Sequence, residues 1–203
     1  MITIIDYGLG NLASIKNMLK KIGTSSVIAS SAEQIANADK LILPGVGHFA
    51  KGMENLERSG LIPVLNEQVL NKKIPILGIC LGMQLLTSHS EEGDVEGLKW
   101  IDARTEKFKL NSNSLKIPHM GWTHVNFKSN EPIAENLYEA SRFYFVHSYK
   151  VRCIKQEYVL ATSTYESDFH SAIINGNIMG VQFHPEKSHK FGMQLLKNFI
   201  NIK

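Results

Sequence analysis

Two short segments carry the residue types that nucleophilic catalysis needs. Residues 78 to 82 read Gly-Ile-Cys-Leu-Gly, and residues 182 to 186 read Gln-Phe-His-Pro-Glu. Cys80 places a thiol at the end of an apolar run, between two glycines and ahead of a helical pattern. That is the cysteine form of a nucleophile elbow, a strand-to-helix turn with no room for Cβ atoms at the flanking positions. The following helix would aim its free N–H groups and dipole at the sulfur and favour thiolate. The N–H of Leu81, next along the chain, is a natural oxyanion donor. His184 and Glu186 lie two apart, so in an extended segment they point the same way. A carboxylate on one imidazole nitrogen fixes the tautomer and leaves the other to take a thiol proton. Pro185 cannot donate to a ladder and marks a strand end, where α/β sites open. The competing readings are a buried structural cysteine and a histidine satisfied at a strand terminus. Cys153, in Val-Arg-Cys-Ile-Lys without a glycine beside it, reads as a plain strand residue.

The elements that must position these groups can be read from hydrophobic periodicity. Strands are expected at 2–6, 27–29, 40–43 and 74–79, and helices at 12–22, 32–36, 49–58, 62–71 and 83–88. Asn11 suits the N-cap and Gly23 the C-cap of the first helix. This alternation predicts a parallel sheet covered by helices on both faces. After Gly97 the texture changes to strands and short turns at 101–108, 124–127, 143–152, 158–165, 171–174 and 178–183, with Asn175-Gly176 as a hairpin signal. A helix over 191–202 closes the pattern. The fold class expected is α/β: a mixed, mostly parallel sheet with an antiparallel section in the C-terminal half. One domain over residues 1–203 is expected, because no linker interrupts the pattern.

Composition bounds the remaining classes. No apolar stretch approaches the roughly 20 residues that span a bilayer. The N-terminus lacks a basic segment ahead of its apolar run, so a cytoplasmic protein is expected, and two cysteines make no disulfide framework. Net charge is +3 with scattered lysines, a solvated surface and not a nucleic-acid footprint. Eight histidines are present, but none has zinc-ligand spacing. Neither metal, cofactor, nucleic acid nor membrane is expected. Gly8-Leu9-Gly10 reads as a turn and not a phosphate loop.

With these residues in hand, the chain resembles the class I glutamine amidotransferases, which carry a Cys-His-Glu triad on a flavodoxin-like fold. Six motifs bring it closer to the glutaminase subunits of imidazole glycerol phosphate synthases. They begin at Asp6-Tyr7-Gly8-Leu9-Gly10-Asn11-Leu12 and Pro44-Gly45-Val46-Gly47, then Gly78-Ile79-Cys80-Leu81-Gly82-Met83-Gln84. Pro118-His119-Met120-Gly121-Trp122, Phe145-Val146-His147-Ser148-Tyr149 and Gln182-Phe183-His184-Pro185-Glu186-Lys187-Ser188 follow. The resemblance implies that Cys80 attacks glutamine, His184 shuttles the proton and Glu186 orients His184. It implies that Gln84 and Glu92 hold the amino-acid end of glutamine with help from the Ser148-Tyr149 backbone. It places oxyanion donors at Leu81 and in the loop of Gly45, Val46 and Gly47, where a peptide flip, eased by glycine, would gate hydrolysis until a partner is loaded. That partner would be a separate barrel cyclase in a heterodimer, using the ammonia to make imidazole glycerol phosphate and AICAR in histidine biosynthesis. Asn11, Trp122, Tyr144 and Lys187 match its interface. For Trp122 the interface is the favoured reading over a core aromatic, and for Tyr144 packing in its strand is an equal alternative.

Two places depart from the pattern. Thr123 stands where histidine-pathway members usually carry Asn, and residues 97 to 103 read Gly-Leu-Lys-Trp-Ile-Asp-Ala where they usually carry a Gly-Leu-Gly-Leu sequence. Both resemble second-copy paralogues that supply ammonia to a sugar-amidating barrel in surface-polysaccharide synthesis. That is the alternative expectation. A non-catalytic scaffold and a papain-like protease are the other classes. The intact triad opposes the first, and Gln84 with the glycine-rich loop opposes the second.

Overall fold

Short runs of Ile, Leu and Val form the centre of the sheet. A computed structural model describes residues 1–111, 115–128, 131–137 and 141–202. Its first half alternates strand and helix: β1 (Ile2–Ile5), α1 (Leu12–Lys21), β2 (Ser26–Ala29), α2 (Ala32–Ala36), β3 (Lys40–Leu43), α3 (Phe49–Ser59), α4 (Ile62–Asn66), β4 (Ile76–Ile79) and α5 (Leu81–Leu85). β2, β1, β3 and β4 lie side by side in parallel. β14 (Ile178–Val181) returns from far along the chain to pair with β4, also in parallel. β1, β4 and β14 are buried at every residue, which is why they read as unbroken apolar runs.

Helices cover both faces because successive strand side chains point opposite ways. Ile4, Ile42, Leu77 and Ile79 pack with Ile15 and Leu19 of α1 and with Leu195, Leu196 and Phe199 of α6 (His189–Asn201). Ile5, Leu41, Leu43 and Ile76 pack on the other face with Ile35, Phe49, Leu56, Leu65 and Leu85, contributed by α2 to α5. Asn11 does cap α1, its side chain accepting from the Ser14 N–H at 3.3 Å. Among the described residues, no helix is long and apolar enough to cross a membrane.

The second half is largely antiparallel. β5 (His89–Ser90), β6 (Val95–Glu96), β7 (Ala103–Lys107), β8 (His119–His124), β9 (Asn126–Phe127), β10 (Arg142–His147), β11 (Tyr149–Cys153), β12 (Val159–Tyr165) and β13 (Ser167–Asn175) precede β14. β13 continues the sheet antiparallel to β14, and β11 and β7 follow antiparallel in turn. The β13–β14 hairpin turns at Gly176 (φ +58°), just after Asn175. β8 and β10 form a separate two-stranded antiparallel ribbon.

Several expectations needed correcting. The strand expected over 143–152 is two strands in two sheets. β10 belongs to the ribbon and β11 to the main sheet, and the chain crosses between them at Ser148. The strand expected at 124–127 begins five residues earlier, as β8. Its large apolar residues, Met120 and Trp122, face outward, so they marked no core face. The helix after Cys80 starts at once, at Leu81, and has only five residues. The helix expected over 62–71 changes to π-type hydrogen bonding over Glu67–Asn71.

Candidate active site

The parallel pairing of β4 and β14 sets the site. Val181 lies opposite Ile79, and the Cys80 N–H donates to the Val181 carbonyl at 2.8 Å. The residues just past both strand ends therefore leave the sheet together. Cys80 sits at φ +55°, ψ −111°, a conformation that costs about 1–3 kcal/mol for a residue with a Cβ. The flanking glycines make the turn possible. A Cβ on Gly82 would lie 1.8 Å from the Leu43 carbonyl oxygen, and one on Gly78 would lie 2.7 Å from the Gly82 carbonyl oxygen. Helix α5 is too short to bring much dipole to the sulfur. It does bring the Leu81 N–H, at a first helical position that has no partner within the helix.

Glu186 Oε1 lies 2.8 Å from His184 Nδ1, with both side chains buried. A carboxylate only accepts, so Nδ1 carries the proton. His184 Nε2 is buried without a hydrogen bond, and Cys80 is close enough to act on the ring. Thiol and imidazole are thus neighbours in a loose contact that substrate can tighten, as is common in the free form of an enzyme. Burial pulls the imidazole down, but Cys80 and Glu186 outweigh it and hold the ring up at about 10. A proton taken from the thiol would therefore be retained by the ring. The backbone is fixed as well: the His184 N–H donates to the Tyr144 carbonyl at 2.9 Å, and the Ser188 hydroxyl donates to the His184 carbonyl at 2.6 Å.

Cys80 and His184 open on a cavity of about 300 Å³, the size of a small amino-acid derivative. Val46, Gly47, Leu81, Gln84, Glu92, Ser148 and Tyr149 also line it. Gln84 Nε2 donates to the Tyr149 carbonyl at 3.2 Å and to Gln182 Oε1 at 3.0 Å. One Glu92 oxygen accepts from the Phe49 N–H at 2.7 Å and so caps α3, where His48 offers no side-chain cap. Gly45 is not in the lining. It lies beneath the loop, where a Cβ would be 2.7 Å from the Tyr7 hydroxyl, and Tyr7 donates to the Pro44 carbonyl at 2.8 Å. The arrangement can perform acyl transfer on a small amide through a thiol.

Comparison with known proteins agrees. The family profile "Glutamine amidotransferase class-I" matches residues 3–202. A Methanococcus maripaludis protein named "Imidazole glycerol phosphate synthase subunit HisH 2" is 58% identical over 200 residues, covering 98% of each chain. A Pseudomonas aeruginosa protein of the same name is 49% identical, covering 100% of each. The chain belongs to the class-I glutamine amidotransferase family. The crystal structure of a glutamine amidotransferase from Thermotoga maritima shares the fold at a TM-score of 0.65 and 18% identity, covering 98% of this chain and 82% of that one.

Three of the four interface candidates of this amidotransferase lie together beside the ribbon. Trp122 is 46% exposed, which removes the core-aromatic reading. Its ring stacks on His189 at 5.4 Å and meets Tyr144 edge-on at 6.1 Å. The Lys187 ammonium lies 5.7 Å over the Tyr144 ring. Asn11 stays outside this cluster, its side chain engaged at the α1 cap.

Sequence reasoning missed a buried chain of histidines that runs from the wall of the amidotransferase pocket, which His147 lines. His147 Nδ1 lies 2.7 Å from the Tyr149 carbonyl, His119 Nδ1 lies 3.0 Å from His147 Nε2, and Thr123 Oγ1 lies 2.8 Å from His119 Nε2. The carbonyl only accepts, so His147 carries its proton on Nδ1 and accepts at Nε2. His119 then carries its proton on Nδ1, and Thr123 must donate to Nε2. Burial keeps both rings neutral, pushing His119 down to about 4 and His147 to about 3. A signal was present: the two histidines sit in the Pro118–Trp122 and Phe145–Tyr149 motifs. However, 28 residues separate them, and nothing local joins them. Thr123, at one of the two departures, supplies the hydroxyl donor that ends the chain.

Proposed function

We propose that the chain is the glutaminase subunit of an imidazole glycerol phosphate synthase, a single glutamine amidotransferase domain over residues 1–203 that acts in the cytoplasm. The observation that carries the reading is the placement of Cys80 and His184 just past the ends of two adjacent parallel strands, facing one small cavity, with Glu186 behind the His184 ring. Cys80 Sγ attacks the side-chain amide carbon of glutamine as His184 takes the thiol proton. Leu81 and the lining part of the loop that starts at Gly45, namely Val46 and Gly47, donate to the oxyanion. His184 returns the proton to nitrogen, the C–N bond breaks and ammonia leaves a glutamyl thioester. Water, deprotonated by His184, cleaves the thioester to glutamate and frees the thiol. Gln84 and Glu92 hold the amino-acid end with the Ser148-Tyr149 backbone. Glu92 has one oxygen for this, since the other caps α3.

The ammonia passes to a separate barrel cyclase that uses it to form imidazole glycerol phosphate and AICAR. The relatives' names, which call them subunits of a synthase, support a partner. The exposed Trp122 and Lys187, with the half-buried Tyr144 between them, support a docking face, and Asn11 is a further contact of the partner outside that cluster. The same names favour this acceptor over a sugar-amidating partner. Glutaminase activity should be measured for the chain alone, with the barrel cyclase of histidine synthesis from the same organism, and with that barrel plus its ribonucleotide substrate. A large rise that needs both additions is expected. No rise, from folded protein with a reactive thiol, would assign it to a different barrel.

A further inference from the structure

Gln182 precedes the base by two residues and is fully buried against the nucleophile. Its Nε2 lies 3.8 Å from Cys80 Sγ, and its Oε1 accepts from Gln84 Nε2 at 3.0 Å. Amide nitrogen and oxygen look alike in shape, so the orientation needs an independent argument. The Tyr149 carbonyl supplies it. A carbonyl only accepts, so Gln84 must turn its NH₂ toward Tyr149. That same NH₂ faces Gln182, so Gln182 must answer with its oxygen. Its NH₂ is then left facing the sulfur. The His147 Nδ1–H, donating to the same Tyr149 carbonyl, holds that anchor in place. The orientation at the thiol is thus set by a backbone oxygen two side chains away.

We propose that Gln182 is a further catalytic residue, the N–H donor that stabilises the Cys80 sulfur as thiolate. The proposal rests on the reading of Cys80 as the nucleophile. Besides the His184 ring, the sulfur meets the Val146 carbonyl at 4.0 Å. A carbonyl favours the protonated thiol and opposes the anion. An N–H has the opposite effect, because hydrogen bonding to the charged form stabilises it. With only one turn of helix after Cys80, the Gln182 amide does what a longer helix dipole would otherwise do. It also explains why a fully buried amide is tolerated here: both its ends are used.

The test reads the thiol directly and needs neither glutamine nor a partner. Failure here and failure of the glutaminase reading are therefore distinguishable. In a Cys153→Ala background, Cys80 is the only thiol, and its alkylation by iodoacetamide is followed against pH. Gln182→Met keeps length and removes the donor. The alkylation rate at neutral pH should fall about tenfold and recover at higher pH, the size of one pH unit in thiolate population. Gln182→Glu, which sets an anion against the sulfur, should lower it further. Unchanged profiles in either folded variant overturn the proposal, as does an equal loss at every pH, which reports only blocked access. A third measurement uses the Cys153→Ala protein with Gln182 intact. The Gln182 side-chain amide proton resonances should move with the same pH midpoint as Cys80 alkylation, and resonances that stay fixed through that midpoint overturn the proposal even if both variants fail to fold.

Discussion

The C-terminal edge of the parallel strands β4 and β14, which lie inside the sheet, and the antiparallel ribbon of β8 and β10 meet at His184, and they are built on opposite terms. At the parallel edge every strand residue is buried, and a Cβ at Gly82 has nowhere to go. The ribbon turns Met120 and Trp122 outward, 61% and 46% exposed. The first region holds reacting atoms still by packing that admits no alternative. The second presents aromatic surface to something outside, while its inner side reaches the chemistry through Val146 and His147, which line the cavity, and through the Tyr144 carbonyl, which accepts from the His184 N–H. Position is enforced where the thiol must be strained, and is only suggested where a partner can still change it.

The largest effect should come from the parallel edge. Cys80→Ala should lower glutamine turnover by about 10⁴-fold or more, while Cys153→Ala, in β11 with a thiol pushed up to about 12 by burial, should leave it within twofold. Comparable losses in the two variants would erase the distinction between the cysteines. Glu186→Gln comes next. An amide can turn its NH₂ to Nδ1 and impose the wrong tautomer on His184, so kcat should drop about 10³-fold with KM for glutamine little changed. A loss confined to KM would place Glu186 in binding and not behind the base.

The same division governs how much was legible in the sequence. The parallel half could be read because burial on both faces leaves unbroken apolar runs: strand 40–43 and helix 32–36 were placed to the residue. Cys80, His184 and Glu186 could be read because tight turns and strand ends leave glycine and proline marks. The ribbon could not. In β8 the large apolar residues Met120 and Trp122 face outward, so apolar character there does not point to a core. Phe143 and Phe145 of β10 do alternate into the core, but Phe143 to Arg152 gives no sign that the chain changes sheets at Ser148. The histidine chain was invisible for a different reason. Hydrogen bonds between Thr123, His119 and His147 depend on the β8–β10 register, which pairs His119 with His147, and register is a tertiary fact.

A mid-sized effect tests whether the two regions can be separated. Trp122→Ala removes the exposed ring that stacks on His189. A buried aromatic anchor in an interface is worth about 2 kcal/mol or more, so affinity for the barrel partner should fall at least about 30-fold by titration calorimetry. Alkylation of Cys80 in the free chain should be the contrasting readout, staying within twofold of the parent. If thiol reactivity falls with affinity, the ribbon is part of the catalytic framework and the two regions do not act separately.

The smallest effect sharpens the comparison most, because it starts on the ribbon and ends in the pocket. Thr123→Val keeps the shape and deletes the hydroxyl that donates to His119 Nε2. His119 is 2% exposed, so its nitrogen loses a donor that water cannot readily replace, at a cost of about 1–3 kcal/mol. For a chain of this length that is a fall in Tm of roughly 2–4 °C per kcal/mol. The far end of the chain is the Tyr149 carbonyl, shared with Gln84, so the strain reaches the backbone that holds glutamine and not the reacting sulfur. KM for glutamine should rise a few-fold while kcat holds, and Thr123→Ser, which retains the hydroxyl, should restore both KM and Tm. If Val and Ser behave alike, the hydroxyl transmits nothing. If kcat falls instead, the histidine chain reaches past Gln84 to Gln182 and the thiol, and the ribbon governs reactivity as well as binding.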